Sequence, residues 1–245
     1  MSLFDSLDAF YTNYEAFPYA DETKLVINWY TDRIITQLKN PEELSVLELG
    51  IGYGDSSLKF SKHFSKHVII EGSKKAIDKF KEKAIGDTKI IHTLFEEYES
   101  SDYFDVIMMG FILEHVQDPE VILKRFRKHL VPDGSLFIIV PNFEALNKRL
   151  GLHAGLIKNL SDLSEADLSV GHKRLFSVNS LNSLVSACGY YVNSVEGIYL
   201  KPFATKQIES LNLSNSIITG LFKEGIHYPE LCTSILIQAK RNAMA

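Results

Sequence analysis

The sequence predicts an α/β fold built on a doubly wound, mainly parallel sheet, and three observations carry that prediction. Five short runs are almost continuously apolar: Ser45–Leu49, His67–Glu71, Lys89–His92, Asp105–Met109 and Ser135–Val140. The segments between them have helical periodicity. A glycine-rich loop, LELGIGYGD (Leu47–Asp55), joins the first run to the helix after it. Strands covered on both faces read as unbroken apolar runs, whereas half-exposed strands alternate. Strand–helix alternation over residues 45–140 then means βα units wound on both sides of one sheet.

Each element has its own signal. Residues 1–40 read as helical and aromatic-rich, with Phe10, Tyr11, Tyr14, Phe17, Tyr19, Trp29 and Tyr30. After a cap at Ser73, Ala76, Ile77, Phe80 and Ala84 line one helix face; Val121, Ile122, Phe126 and Leu130 do so after Asp118 and Pro119. Residues 142–176 have weak periodicity and many small polar residues, and read as an inserted cap. Ser177 starts a helix with Leu181, Leu184, Val185 and Cys188 on one face, stopped by Gly189. Two late strands, Tyr190–Leu200 and Leu231–Ala239, flank a helical stretch around Gln207–Phe222. Residues 41–141 are thus the core, and residues 177–245 complete the sheet.

Composition narrows the partners. The 245 residues are 45% hydrophobic and 23% charged, with a formal charge of −5, which argues against nucleic acid as the main partner. The one basic run, Lys124–His129, interleaves with apolar residues and reads as the solvated face of a helix. Cys188 and Cys232 sit in apolar contexts without paired spacing, no basic secretory start is seen, and a reducing cytoplasm is expected. No apolar run approaches the ~20 residues that cross a bilayer.

The loop carries the ligand signal. Glycine permits positive φ and a close approach of ligand to backbone, and the following helix offers free N–H groups. Gly50, Gly52 and Gly54 are followed by Asp55, which stands at the third glycine of the dinucleotide fingerprint. An aspartate there would repel a pyrophosphate, so NAD is disfavoured. Glu71, about 20 residues beyond Gly50 and ending the second strand, suits a ribose diol. A ribose without a pyrophosphate points to a nucleoside such as S-adenosylmethionine.

VLELGIGYGD, IIEGS, YFDVIMMGFILEHVQDP and LVPDGSLFIIVPN resemble, in order and spacing, the successive motifs of class I S-adenosylmethionine-dependent methyltransferases. The resemblance leans toward the small-molecule branch related to ubiquinone-biosynthesis methyltransferases. It covers residues 40–145 strongly and 170–200 loosely. It implies a Rossmann-like sheet of about seven strands, the last pair partly antiparallel, with residues 1–40 as a lid over the cofactor. The implied cofactor is S-adenosylmethionine, with S-adenosylhomocysteine as product. Glu48, Gly50 and Gly52 would shape the methionine site, Glu71 with Gly72 the ribose site, and Gly110 would pass close to the cofactor. The family's adenine-binding aspartate has no counterpart; Leu94 and Phe95 stand near its place, with Glu96 as an alternative.

Methyl transfer needs an aligned acceptor and, for a hydroxyl, a base. His172, in SVGHKRLFS, is the favoured catalytic residue, and His115, in LEH, the second; His92 and His153 read as structural or exposed. Arg174 would serve an anionic acceptor or tie down the cap, and Tyr11, Tyr14 and Tyr19 could face substrate. Strands four and five end without paired acidic ligands, so no metal is expected. The insert through GHKRLF, followed by GIYLKPFATKQIE, loosely resembles enzymes of bacterial sugar and surface-polysaccharide (capsule) pathways, and the resemblance implies O-methylation of a sugar, nucleotide-sugar or phosphorylated metabolite. N-methylation of a small amine or amino sugar, an NAD-dependent oxidoreductase and a non-catalytic cofactor-binding module are the alternatives. The expected partner is a small-molecule methyl acceptor; self-association as a homodimer is left open.

Overall fold

A computed structural model of the chain describes residues 3–15, 19–83 and 88–242, with side chains at 3, 10 and 13–15 outside the description. Phe17 and Ala84 therefore lie outside the described residues, as do the side chains of Phe10 and Tyr14. Seven strands form one sheet: β1 (Ser45–Leu49), β2 (Lys66–Glu71), β3 (Lys89–His92), β4 (Phe104–Gly110), β5 (Leu130–Pro141), β6 (Tyr190–Ile198) and β7 (Ser234–Arg241). Their spatial order is β3-β2-β1-β4-β5-β7-β6, parallel except for β7, which runs antiparallel to both neighbours. The sheet is the one the apolar runs predicted, with the antiparallel strand at its late end.

Ten helices accompany it among the described residues: α1 (Leu3–Glu15), α2 (Ala20–Gln37), α3 (Asp55–His63), α4 (Lys74–Lys81), α5 (Pro119–Arg127), α6 (Leu146–His153), α7 (Glu165–Ser169), α8 (Val178–Ala187), α9 (Thr205–Ser210) and α10 (Asn215–Gly225). The strands send alternate side chains to opposite faces, and both faces are dry. Leu47, Leu49, Ile107, Met109, Leu136 and Ile138 pack beneath α5 and α8, whose contributions include Phe126 and Leu181. Val46, Val106, Met108, Phe137 and Ile139 pack beneath α2 and α3 through Ile27, Ile34 and Phe60. Ile69 meets Ile77 and Phe80 of α4. Burial of this many large apolar side chains, at about 1.5–3 kcal/mol each, dominates the stability of the sheet.

The local signals end the helices where expected. Ser73 accepts from Ala76 N, Asp118 from Glu120 N, and Ser177 from Ser180 N; Gly189 takes φ 84° after α8. Other boundaries differ, among them the late strands, which run Tyr190–Ile198 and Ser234–Arg241 and not Tyr190–Leu200 and Leu231–Ala239. β5 starts at Leu130 and runs through Pro132–Gly134, where the sequence suggested a turn, because Leu130 pairs with Phe104 across a register shift. The stretch around Gln207–Phe222 is two helices, broken where Asn212 adopts a left-handed φ of 47°. The segment 142–176 carries α6 and α7 and is anchored by Asn142, whose Nδ2 donates to the carbonyls of Pro229, Glu230 and Cys232.

The basic run on α5 is tied to its own chain: Arg125 donates to the Tyr98 carbonyl, and Arg127 to those of Gly189 and Asn242. Both cysteines are buried and free. No described helix is long and apolar enough to cross a membrane.

Candidate active site

The order of the sheet makes a switch point between β1 and β4, where chain connections leave in opposite directions. Crevices at the carboxyl ends of such strands are where α/β sheets bind ligands. A cavity of about 590 Å³ opens there, lined by the glycine loop, by Glu71 and Gly72, by the segment after β4, and by α1, α2 and the 142–176 segment.

The glycine loop holds one end. Gly50, Gly52 and Gly54 have φ of 77°, 54° and 87°, values that L side chains rarely adopt, and a Cβ on Gly50 would press within 3.0 Å of Ile112 Cδ1. Glu71 is clamped to this loop: Oε2 accepts from Ile51 N at 2.9 Å and Oε1 from Ser73 N at 2.7 Å. Burial pushes the Glu71 carboxyl up despite these amide bonds. Each carboxylate oxygen has a second lone pair, so the clamp leaves acceptor capacity for a ribose diol. Glu48 is buried beneath the loop, accepting from Ser56 Oγ at 2.6 Å and lying 3.0 Å from His67 Nε2. Leu94, Phe95 and Glu96 line the same end.

α1 crosses this end. Leu7 sits so close to Gly72 that a Cβ there would lie 2.5 Å from Leu7 Cδ1, and Asp8 Oδ1 accepts from Ser73 Oγ and Lys75 N. Tyr11 is buried and lines the cavity. Gly110 is equally crowded: its Cβ would meet Tyr30 Oη at 2.8 Å. Phe111, next in the chain, has a left-handed φ of 56° and lines the cavity. Backbone strain of this kind is characteristic of functional sites.

The other end holds the histidines. His172 Nδ1 is 2.9 Å from Asp167 Oδ1. Burial opposes the ionised form of Asp167, but hydrogen bonds from His172 and Ser164 outweigh it and hold the carboxyl well below the usual range. His115 packs edge-on against His172, ring centroids 4.9 Å apart, and its burial, with His172 beside it, lowers its pKa to about 3. Glu114 is 1% exposed and neither carboxylate oxygen has a hydrogen-bond partner; burial raises its pKa to about 8.

The structure brings Glu48, Gly50, Gly52, Glu71, Gly72, Leu94, Phe95, Gly110, His115, His172 and Tyr11 to one cavity. It places Arg174 elsewhere: the guanidinium donates to the carbonyls of Leu113, Val116 and Gln117, stapling the turn after β4. Of the two roles expected for Arg174, its geometry serves the tie. Tyr19 lies outside the cavity lining, and the Tyr14 side chain lies outside the described residues. His153 is exposed at the end of α6, and His92 hydrogen-bonds the Gly72 carbonyl.

Sequence reasoning missed Asp167 and Glu114. Ser164-x-x-Asp167 is legible as a capping box, which conceals a second use of the same carboxylate. For Glu114 a signal existed, an acid inside the apolar run ILEHV.

A doubly wound sheet with a glycine turn, an acidic β2 terminus and a nucleoside-sized crevice defines the class I methyltransferase architecture. Residues 24–195 match the methyltransferase domain family, and the chain belongs to that family, among the S-adenosylmethionine-dependent methyltransferases. The chain is 32% identical over 115 residues to a ubiquinone/menaquinone biosynthesis C-methyltransferase of Vibrio vulnificus, covering 42% of this chain and 44% of that protein. It is 27% identical over 122 residues to the tRNA 5-carboxymethoxyuridine methyltransferase of Escherichia coli, covering 47% and 46%. The chain thus spans less than half the length of these curated relatives. Among solved structures, an S-adenosylmethionine-dependent methyltransferase from Mesorhizobium loti superposes with a TM-score of 0.62 at 15% identity, covering 88% of this chain and 98% of that one.

Proposed function

We propose that this chain transfers a methyl group from S-adenosylmethionine to a hydroxyl of a small polar acceptor, preferably a sugar. One observation carries the proposal: a single cavity joins the glycine turn and Glu71 at one end to the Asp167–His172 pair at the other. When bound, the cofactor supplies an electrophilic methyl group on its sulfonium. Gly50, Gly52 and Glu48 would hold its methionine part, Glu71 and Gly72 its ribose, and Leu94 and Phe95 its adenine. The open space over Gly52 and the positive φ of the glycine turn fit such a ligand, whereas Gly72 and Gly110 are small because Leu7 and Tyr30 pack against them.

At the acceptor end, the Asp167 carboxylate can only accept, so His172 Nδ1 carries the proton and Nε2 the lone pair. His172 is thereby set to activate the acceptor hydroxyl, with His115 packed against it. Leu7 and Tyr11 of α1 line the cavity.

The lining also informs the acceptor. Glu48, Glu71, Glu96 and Asp167 line the cavity with one lysine, Lys173, among the described residues, while Glu22 is paired with Lys201. This excess of carboxylates favours an uncharged sugar hydroxyl over a nucleotide-sugar, a phosphorylated metabolite or a polynucleotide. The same acids would receive an ammonium, which supports the second reading, N-methylation of a small amine or amino sugar. A cytoplasmic setting and a role in surface-polysaccharide biosynthesis belong to the sugar proposal.

The test is calorimetric titration with S-adenosylmethionine, S-adenosylhomocysteine and NAD, followed by an acceptor screen with labelled donor across monosaccharides, amino sugars and nucleotide-sugars. Binding of the first two ligands and turnover on a sugar are expected. Binding of NAD alone would overturn the cofactor assignment, and turnover confined to amines would replace the acceptor.

A further inference from the structure

We infer that Glu114, His115 and His172 form a site for one divalent transition cation at the acceptor end of the cavity. Its binding stands on these residues alone; its role rests on the acceptor placement proposed for the same site.

The first observation is Glu114. Both of its oxygens are closed to water and without a hydrogen-bond partner. A buried acid in that condition lacks the polar partner that such groups ordinarily have, and a cation taking the place of its proton supplies one.

The second is the convergence of donors. One ligand atom from each of Glu114, His115 and His172 lies within 4.8 Å of the others. Ions with bonds of ~2.1 Å hold their ligands some ~3–4 Å apart, so small side-chain rotations close the site. The sequence suggested no metal because β4 and β5 end without acidic ligands. The three donors come from the turn beyond β4 and from the far end of the 142–176 segment.

The third is the surrounding support. Asp167 accepts a hydrogen bond from His172 Nδ1 and leaves Nε2 for a metal, the carboxylate–histidine arrangement that orients metal ligands. Asp167 is itself held by Ser164 N and Oγ, and the Gly171 backbone hydrogen-bonds His115. Two imidazoles and one carboxylate suit zinc, manganese, iron or cobalt better than magnesium or calcium, which take oxygen ligands.

Three protein ligands leave a coordination position open toward the cavity. With the His172 Nε2 lone pair on the cation, the cation replaces that histidine as activator: an acceptor hydroxyl placed there would be acidified, its O–H bond breaking and the proton passing to solvent. The oxygen pair then forms the C–O bond while the C–S bond breaks, its electrons staying on sulfur. No oxidant or reductant is involved.

The test uses the tag-free full chain, stripped with a chelator and titrated with Zn²⁺ by calorimetry, beside Glu114→Gln, His172→Gln and Asp167→Asn. Binding of S-adenosylhomocysteine to each variant reports that it is folded. One Zn²⁺ per chain is expected, weakened ~10–100-fold in Asp167→Asn and at least as much in the two ligand variants. Absence of saturable binding to the unaltered chain, or equal affinity in Glu114→Gln and His172→Gln, overturns the site. Zn²⁺ binding as expected in a chain that ignores S-adenosylhomocysteine would sink the proposed function and leave the cation site standing.

Discussion

Asp167 Oδ1 lies 2.9 Å from His172 Nδ1, and the two residues are five apart across the end of α7. The pair fixes which histidine nitrogen is bound to Asp167 and which, in the proposed function, is offered to the acceptor. Replacing Asp167 by Asn reverses the preference, because an amide can donate to Nδ1. His172→Ala is expected to lower turnover by ~10²–10⁴-fold, the range for loss of a general base or its equivalent, and Asp167→Asn by less. S-adenosylhomocysteine affinity should not change in either. Equal loss of cofactor binding and turnover would show that His172 supports the fold and not the reaction.

Glu71 joins the cofactor end through Ile51 N and Ser73 N. Glu71→Ala should weaken S-adenosylmethionine binding by about 1–3 kcal/mol, the scale of hydrogen bonds to a charged group. Calorimetry on the folded variant decides it, and unchanged affinity removes the ribose role.

Arg174 makes three hydrogen bonds to carbonyls of the turn that carries Glu114 and His115. Arg174→Ala should lower stability in urea by about 1–3 kcal/mol, since the carbonyls of the buried Leu113 and Val116 lose a charged donor. Lysine should not restore it, because an ammonium cannot reproduce the planar fork. Full rescue by Arg174→Lys would mean that charge alone matters there.

Asp8 binds Ser73 Oγ and Lys75 N and so ties α1 to α4. Those hydrogen bonds, the Ser73 one first, hold its carboxyl below the usual value. A depressed native pKa means that the tie is complete at neutral pH and weakens only as pH falls through the lowered value. Hydrogen exchange in α1 should therefore rise in acid before that of the sheet, and Asp8→Asn should show the faster exchange already at neutral pH. Exchange in α1 that tracks the sheet at every pH counts against the tie.

Much of the fold was legible because its signals are local. Unbroken apolar runs mark strands covered on both faces, and Ser73, Asp118 and Ser177 cap helices within their own first turns. Gly50, Gly52 and Gly54 declare a turn that needs positive φ, and Glu71 could be placed by its distance along the chain. Asn212 hid the break between α9 and α10, since asparagine in a helical stretch is ambiguous until its φ is seen.

What the sequence determined by itself, then, is the sheet, the glycine turn and the type of ligand they hold, each read from residues within a few turns of one another. Only the tertiary structure decided that Asp167 serves His172, that Glu114 and His115 from the β4 turn meet a histidine from the 142–176 segment, and that Arg174 staples that turn. Those meetings depend on where the inserted segment packs against the sheet. That is set by long-range burial and by anchors such as Asn142, and no periodicity in the chain encodes it.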